Sequence, residues 1–310
     1  MRRRATPALL TLAVSLAVLI PAAIQHRAQH SDEAEYVWAA SYYGHRVAHF
    51  DFSRGGGSFN DPGWSPNVYW TSASTFGTYY VYAAALGLTG QPGPRMPHSF
   101  TDPRLPGPET QVPARSLEIA RLAAALCAAL GLALITRRLG WQGLVATTLF
   151  LAAPNVRGDL TRAWAEGPLL LGFGLCASAF GTRWFGVACG AATTFKLTAL
   201  GLWPLILWRR ANGRLSRVKA ALLAALTWTL LVPPSWWALG PLYFVQAIRF
   251  RASQFGGQSA SNLADVHDGI FLPSRYLLQI EMVGALALAF ALSFAVRRIR
   301  LAREPVQVTG

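Results

Sequence analysis

Asp32, Glu33, Arg162, Glu166 and Lys196 each join a charge to a place beside apolar sequence. Asp32 and Glu33 belong to Ser31-Asp-Glu-Ala-Glu-Tyr36, which directly follows an apolar run. A carboxylate held there could take a proton from an acceptor hydroxyl as a general base. The same acids also suit the first turn of a helix capped by Ser31, where negative charge is favoured. Arg162 and Glu166 lie in Asp159-Leu-Thr-Arg-Ala-Trp-Ala-Glu166, at a spacing that puts both on one face of a helix. An arginine beside an acid suits a phosphate, and it also suits a surface ion pair of little energy. Lys196 interrupts the apolar stretch from Trp184 to Trp208. A lysine in a membrane segment is costly and marks function by default, whereas at a helix end it can snorkel to the interface.

Other chemistries find little support. His45 and His49 are four residues apart, but no cysteine close by completes a metal set, and no zinc motif is present. His267 with Asp265 and Asp268 reads as a solvated loop. No metal site is assigned, although oxygen-only coordination of a divalent cation by Asp32 and Glu166 stays open. There is no Walker loop, and Arg54-Gly-Gly-Gly-Ser is too bare to cradle a nucleotide. Cys127, Cys176 and Cys189 each sit in an apolar run and read as small buried hydrophobes.

The elements that must hold these residues are apolar runs: Pro7–Ile24, Leu117–Thr136, Trp141–Ala153, Pro168–Ala179, Trp184–Phe195, Leu197–Trp208, Ala220–Trp236 and Leu277–Val296. They predict an all-α bundle of about eight transmembrane helices in a single domain, although several runs are shorter than the roughly 17–25 residues a span usually needs. Gly77–Leu88, with three tyrosines, predicts an interfacial or re-entrant helix. The amino-terminal Met-Arg-Arg-Arg, apolar run and Pro21-Ala-Ala resemble a signal peptide, but with so many later runs we read an uncleaved first span.

Charge sorts along this plan. With the first arginines in the cytoplasm and eight crossings, 15 of the 28 Lys and Arg fall inside, in residues 1–6, 137–140, 180–183, 209–219 and 297–310. Thirteen of the 14 acids fall outside or at outer ends of spans. Both termini are therefore expected in the cytoplasm, with outer segments at 26–115 and 237–275. The chain is 53% hydrophobic and only 14% charged, against about 25% charged in soluble domains. Its net charge of +14 comes in short arginine clusters beside apolar runs, which argues for a membrane and against nucleic acid.

In order along the chain, these features resemble membrane glycosyltransferases of the GT-C fold, among them protein O-mannosyltransferases and aminoarabinose transferases. The resemblance rests on Asp32-Glu33 after a first span, the aromatic run Thr78-Tyr-Tyr-Val-Tyr, and the span from Arg115 to Gly140. It continues through the loop Pro154 to Glu166 and the stretch Gly190 to Pro204 with Lys196. It covers about residues 1–240. It implies a polyprenyl-phosphate sugar as donor, membrane lipid as surroundings, and an acceptor hydroxyl at the outer face of the plasma membrane. It implies Asp32 as the base beside Glu33, and Arg162 and Lys196 as neutralisers of the lipid phosphate. Glu166 stands where the relatives carry aspartate. The contrasting expectation is a non-catalytic membrane protein: a transporter or flippase of lipid-linked sugars, or a GT-C pseudoenzyme subunit.

Overall fold

The structure, a computed structural model, describes residues 2–25, 31–50, 75–91, 112–208 and 214–232. The expected last span Leu277–Val296 and the segment 237–275 lie outside these residues. Among the described residues the fold is helical, with no strand.

The helices are α1 (Arg2–Gln25), α2 (Ser31–Ala48), α3 (Phe76–Leu88), α4 (Ala114–Leu139), α5 (Trp141–Ala152), α6 (Pro154–Thr161), α7 (Glu166–Ala179), α8 (Phe185–Phe195), α9 (Pro204–Trp208) and α10 (Arg214–Leu231). A 3-10 turn at Leu197–Leu202 precedes α9. Two helical segments, Ala5–Gln25 and Ala114–Leu139, are long and apolar enough to cross a membrane, with mean hydropathies of 2.3 and 2.1. Helices α5, α7 and α8 are apolar but shorter.

Local sequence explains the breaks. Gly140 and Gly181 have φ of 69° and 85°, a region that side-chain-bearing residues rarely adopt, and they turn α4 into α5 and α7 towards α8. Pro154 opens α6, where a missing N–H costs nothing. The expected span Leu197–Trp208 is wound as a 3-10 turn, Leu197–Leu202, that passes into the short helix α9 rather than as one α-helix. Lys196 takes an extended backbone after α8, and Pro204 cannot supply the N–H that would carry a helix across it.

Three apolar clusters join the helices. One packs Val37, Trp38, Phe76, Tyr79 and Tyr82 of α2 and α3 against Leu117 and Ala120 of α4. The second packs Leu19 and Ala23 of α1 against Ala125, Ala128 and Leu132 of α4, with Leu170 of α7. The third joins α7, α8 and α10 through Cys176, Phe185, Cys189 and Ala220.

Close contacts fix the helix directions. Helices α4 and α7 run parallel: a Cβ at Gly167 would stand 2.4 Å from the Ala124 carbonyl oxygen, and one at Gly174 would stand 2.6 Å from that of Gly131. Helices α8 and α10 are parallel as well, with Gly186 against Ala220 and Gly190 against Ala224, a small-residue seam that lets backbones touch. Helices α1 and α4 are antiparallel, since Thr11 near the start of one donates to Thr136 near the end of the other at 3.1 Å. Helices α7 and α8 are antiparallel, with the Cys176 and Cys189 sulfurs 4.0 Å apart. The bundle thus has two distinct ends. One carries the glycine turns at Gly140 and Gly181, and the other gathers the charged residues described next.

Large apolar side chains face outward in stripes. Trp141, Val145 and Leu149 on α5, and Val218, Leu222, Leu226 and Leu230 on α10, recur every four residues and are exposed. Contiguous exposed apolar surface of this kind marks contact with lipid or with another protein.

Candidate functional site

The non-helical linker of residues 162–165, between α6 and α7, is the meeting point of the charged end. Arg162 caps α6 with extended backbone, and Glu166 opens α7. The expectation that Arg162 and Glu166 share one helix face is therefore corrected: a break falls between them. The Trp164 N–H bonds the Arg162 carbonyl at 2.7 Å, which tightens the linker into a three-residue turn around Ala163.

A buried turn needs partners for its backbone groups, and side chains from two other helices supply them. The Ala163 N–H donates to Glu33 Oε1 at 3.0 Å. The Tyr82 hydroxyl of α3 donates to the Trp164 carbonyl. Burial, first of all, holds the Tyr82 phenol well above its ordinary range, so it stays protonated and able to donate.

Glu33 is fully buried. Besides Ala163 it accepts two hydrogen bonds from Arg121 of α4, from Nε to Oε1 at 2.8 Å and from Nη2 to Oε2 at 2.7 Å. This fork-to-fork geometry is the strongest form of such a pair. Arg121 is 5% exposed, so both charges are out of water. With Arg121 and the Ala163 N–H both bonded to its carboxylate, the geometry gives Glu33 a holding role. Asp32 precedes it in the first turn of α2, and its side chain lies outside the described set.

The second charged group lies on the other side of the linker. Lys196, which ends α8, donates to Glu166 at 2.5 Å, and the two side chains are 13% and 16% exposed. Arg162 stacks over the Trp164 ring at 4.8 Å, a cation–π contact. Asp159, on α6, feels all three neighbours. Burial raises its carboxyl above 3.8, Glu166 adds in the same direction, and Arg162 and Lys196 oppose the rise without cancelling it. Thr78 of α3 donates to the Phe195 carbonyl at 3.0 Å and so fixes α3 beside Lys196.

Arg162, Glu166 and Lys196 thus share one neighbourhood, with Glu33 reaching the same linker from α2. Among the described residues no three His, Cys, Asp or Glu side chains stand close enough together to hold a metal ion. The expected Asp32–Glu166 cation site turns on an Asp32 side chain outside that set.

No family model, curated protein or solved structure matches the chain. Functional assignment therefore rests on the residues themselves.

Arg121, Tyr82 and the Ala163 N–H are the members that sequence reasoning missed. Arg121 interrupts the apolar run Leu117–Thr136, so the rule that singled out Lys196 applies to it equally. Tyr82 was visible only as one tyrosine among three, and a backbone N–H leaves no trace in the sequence.

Proposed function

We propose that the chain is a multi-pass membrane glycosyltransferase of GT-C type that transfers a sugar from a polyprenyl-phosphate carrier to an acceptor hydroxyl. In this reading the charged end lies at the outer face of the plasma membrane and both termini are cytoplasmic. The observation that carries it is the convergence, among the described residues, of buried and part-buried charge pairs at one end of the bundle. Lys196 and Arg162 there flank a single linker. A sugar on a lipid phosphate is already activated, so such an enzyme needs cations for the leaving phosphate and a base for the acceptor. Lys196 and Arg162 supply the cations, with Glu166 holding Lys196 until phosphate arrives.

Asp32 is the base in this scheme. The assignment follows the resemblance in sequence, and the neighbouring Glu33 is engaged by Arg121 and Ala163. The outward apolar stripes on α5 and α10 and the opposed directions of α1 and α4 and of α7 and α8 support a membrane bundle. Transport would call for charges in mid-membrane. Glu33, Glu166 and Lys196 stand at helix ends and Arg121 lies two turns inside α4, so the paired charges gather towards one end, which favours interfacial chemistry.

The test is transfer from radiolabelled polyprenyl-phosphate sugars by the purified protein and by Asp32→Asn. A general base contributes about 10²–10⁴-fold to rate, so the variant is expected to lose turnover by that factor and to keep donor binding. Full turnover in Asp32→Asn would falsify the mechanism.

A further inference from the structure

We infer that Glu33 and Arg121 form a positioning pair whose task is to hold the Ala163 N–H and thereby aim the linker that presents Arg162 and Glu166. The inference rests on the glycosyltransferase reading for what the linker serves, but the positioning itself is a property of the fold.

The linker has only four residues between α6 and α7, and Ala163 and Ala165 within it are fully buried. It is not helical, so its polar backbone groups cannot be satisfied along the chain as in a helix. Each side of the turn is fastened from elsewhere: Ala163 N–H to Glu33, and Trp164 C=O to Tyr82. Glu33 could not stand there alone, since a buried, unpaired carboxylate is prohibitively costly. Arg121 neutralises it, and the bidentate fork leaves Oε1 directed at Ala163 as well as at Nε. The arginine therefore fixes the carboxylate in its plane, and the carboxylate fixes the linker. Arg162 stacks on Trp164, the residue after Ala163, and Glu166 holds Lys196 two residues further on. Any shift of the turn moves both cations relative to one another. A bare structural tie between α2 and α4 would need the Arg121 fork but would have no use for Ala163.

Two double variants separate these roles. Both Glu33→Gln/Arg121→Met and Glu33→Met/Arg121→Met delete the ion pair and leave no buried charge. Only the first keeps a carbonyl oxygen to accept from Ala163. The glutamine variant also buries an extra amide N–H₂, so it is no more stable overall than the methionine variant. Hydrogen exchange of the 160–166 segment, followed by mass spectrometry with fragmentation that resolves the Ala163 amide on the full chain in detergent, reads that hydrogen bond. The expected result is exchange about tenfold or more faster in Glu33→Met/Arg121→Met than in Glu33→Gln/Arg121→Met. Equal exchange in the two variants overturns the inference.

A polyprenyl phosphate without sugar, titrated into wild type and both variants, tests the link to function. Weaker binding in the methionine variant alone is expected. If exchange separates the variants while the lipid phosphate fails to bind even the wild type, the positioning role stands and the glycosyltransferase reading falls.

Discussion

The two ends of the bundle solve the problem of polar groups in opposite ways. At the glycine-turn end the buried polar groups are neutral hydroxyls. Thr11 donates to Thr136, and Thr136 lies 3.4 Å from Thr147, so three helices share one short chain of hydroxyls. The charges at that end, Arg137, Arg138, Arg183, Arg217 and Lys219, are exposed. At the other end Glu33 and Arg121 are buried, and Glu166 and Lys196 are nearly so. An exposed arginine costs little and is consistent with a headgroup layer. A buried one survives only where a partner of opposite charge meets it in good geometry. The contrast teaches where to look for chemistry: hydroxyl networks between helices are adequate for packing, whereas convergent buried charge at a break in the helices exceeds what packing requires.

The largest effect should come from breaking the buried side of this comparison. Arg121→Met leaves the Glu33 carboxylate uncompensated and is expected to destabilise the protein by about 3–5 kcal/mol. Arg137→Met, the same change at an exposed position of the same helix, should fall within about 0.5 kcal/mol. Melting of both variants in one detergent measures the difference, and equal losses would erase the distinction between the ends.

Next in size is Lys196→Met. Removing one charge-assisted contact is worth roughly 1.5–3 kcal/mol, which is about tenfold or more in donor affinity if Lys196 holds the phosphate. Titration with a polyprenyl phosphate checks this, and unchanged affinity would leave Lys196 only its tie to Glu166. Smaller again is Thr136→Val at the glycine-turn end, which removes the hydroxyl between Thr11 and Thr147. Hydroxyl contacts between membrane helices are worth roughly 1 kcal/mol or less, so a small loss of stability with no change in lipid-phosphate binding is expected.

Much of the architecture was legible because apolar runs and proline or glycine breaks act locally. The helices α1, α4, α5, α7 and α8 lie on five of the runs read from the sequence. The interruption at Lys196 was legible as a charge between two runs, but the 3-10 winding of Leu197–Leu202 was not, because hydropathy registers apolar side chains and is blind to the backbone that Pro204 imposes. The site was legible in its cations and hidden in its joints. Lys196 and Arg162 announce themselves as charges beside apolar sequence. The partnership of Glu33 with Arg121 spans 88 residues, and that of Glu33 with Ala163 spans 130. Spacing rules reach three or four residues along a helix and cannot see across such distances.

The smallest expected effect concerns Asp159, and its sign is informative. Folding raises this carboxyl above its ordinary 3.8, with burial as the first cause. Between pH 3.8 and the raised value the folded chain binds more protons than the unfolded one, so stability falls as pH rises through that window. Above the window the penalty is fully present, and below 3.8 it vanishes. Asp159→Asn removes the ionisable group, so the variant should melt slightly above wild type near neutral pH and alongside it below pH 3.8. The gain should be small, because the side chain is partly exposed and solvent screens its charge. The opposite sign would mean that Arg162 and Lys196 outweigh burial and that Asp159 is a stabilising member of the cluster. In that case Asp159 and Glu166 would balance Arg162 and Lys196, with less positive field left for a phosphate. Melting curves of wild type and variant at the two pH values therefore measure how far the end opposite the glycine turns is poised to receive an anion.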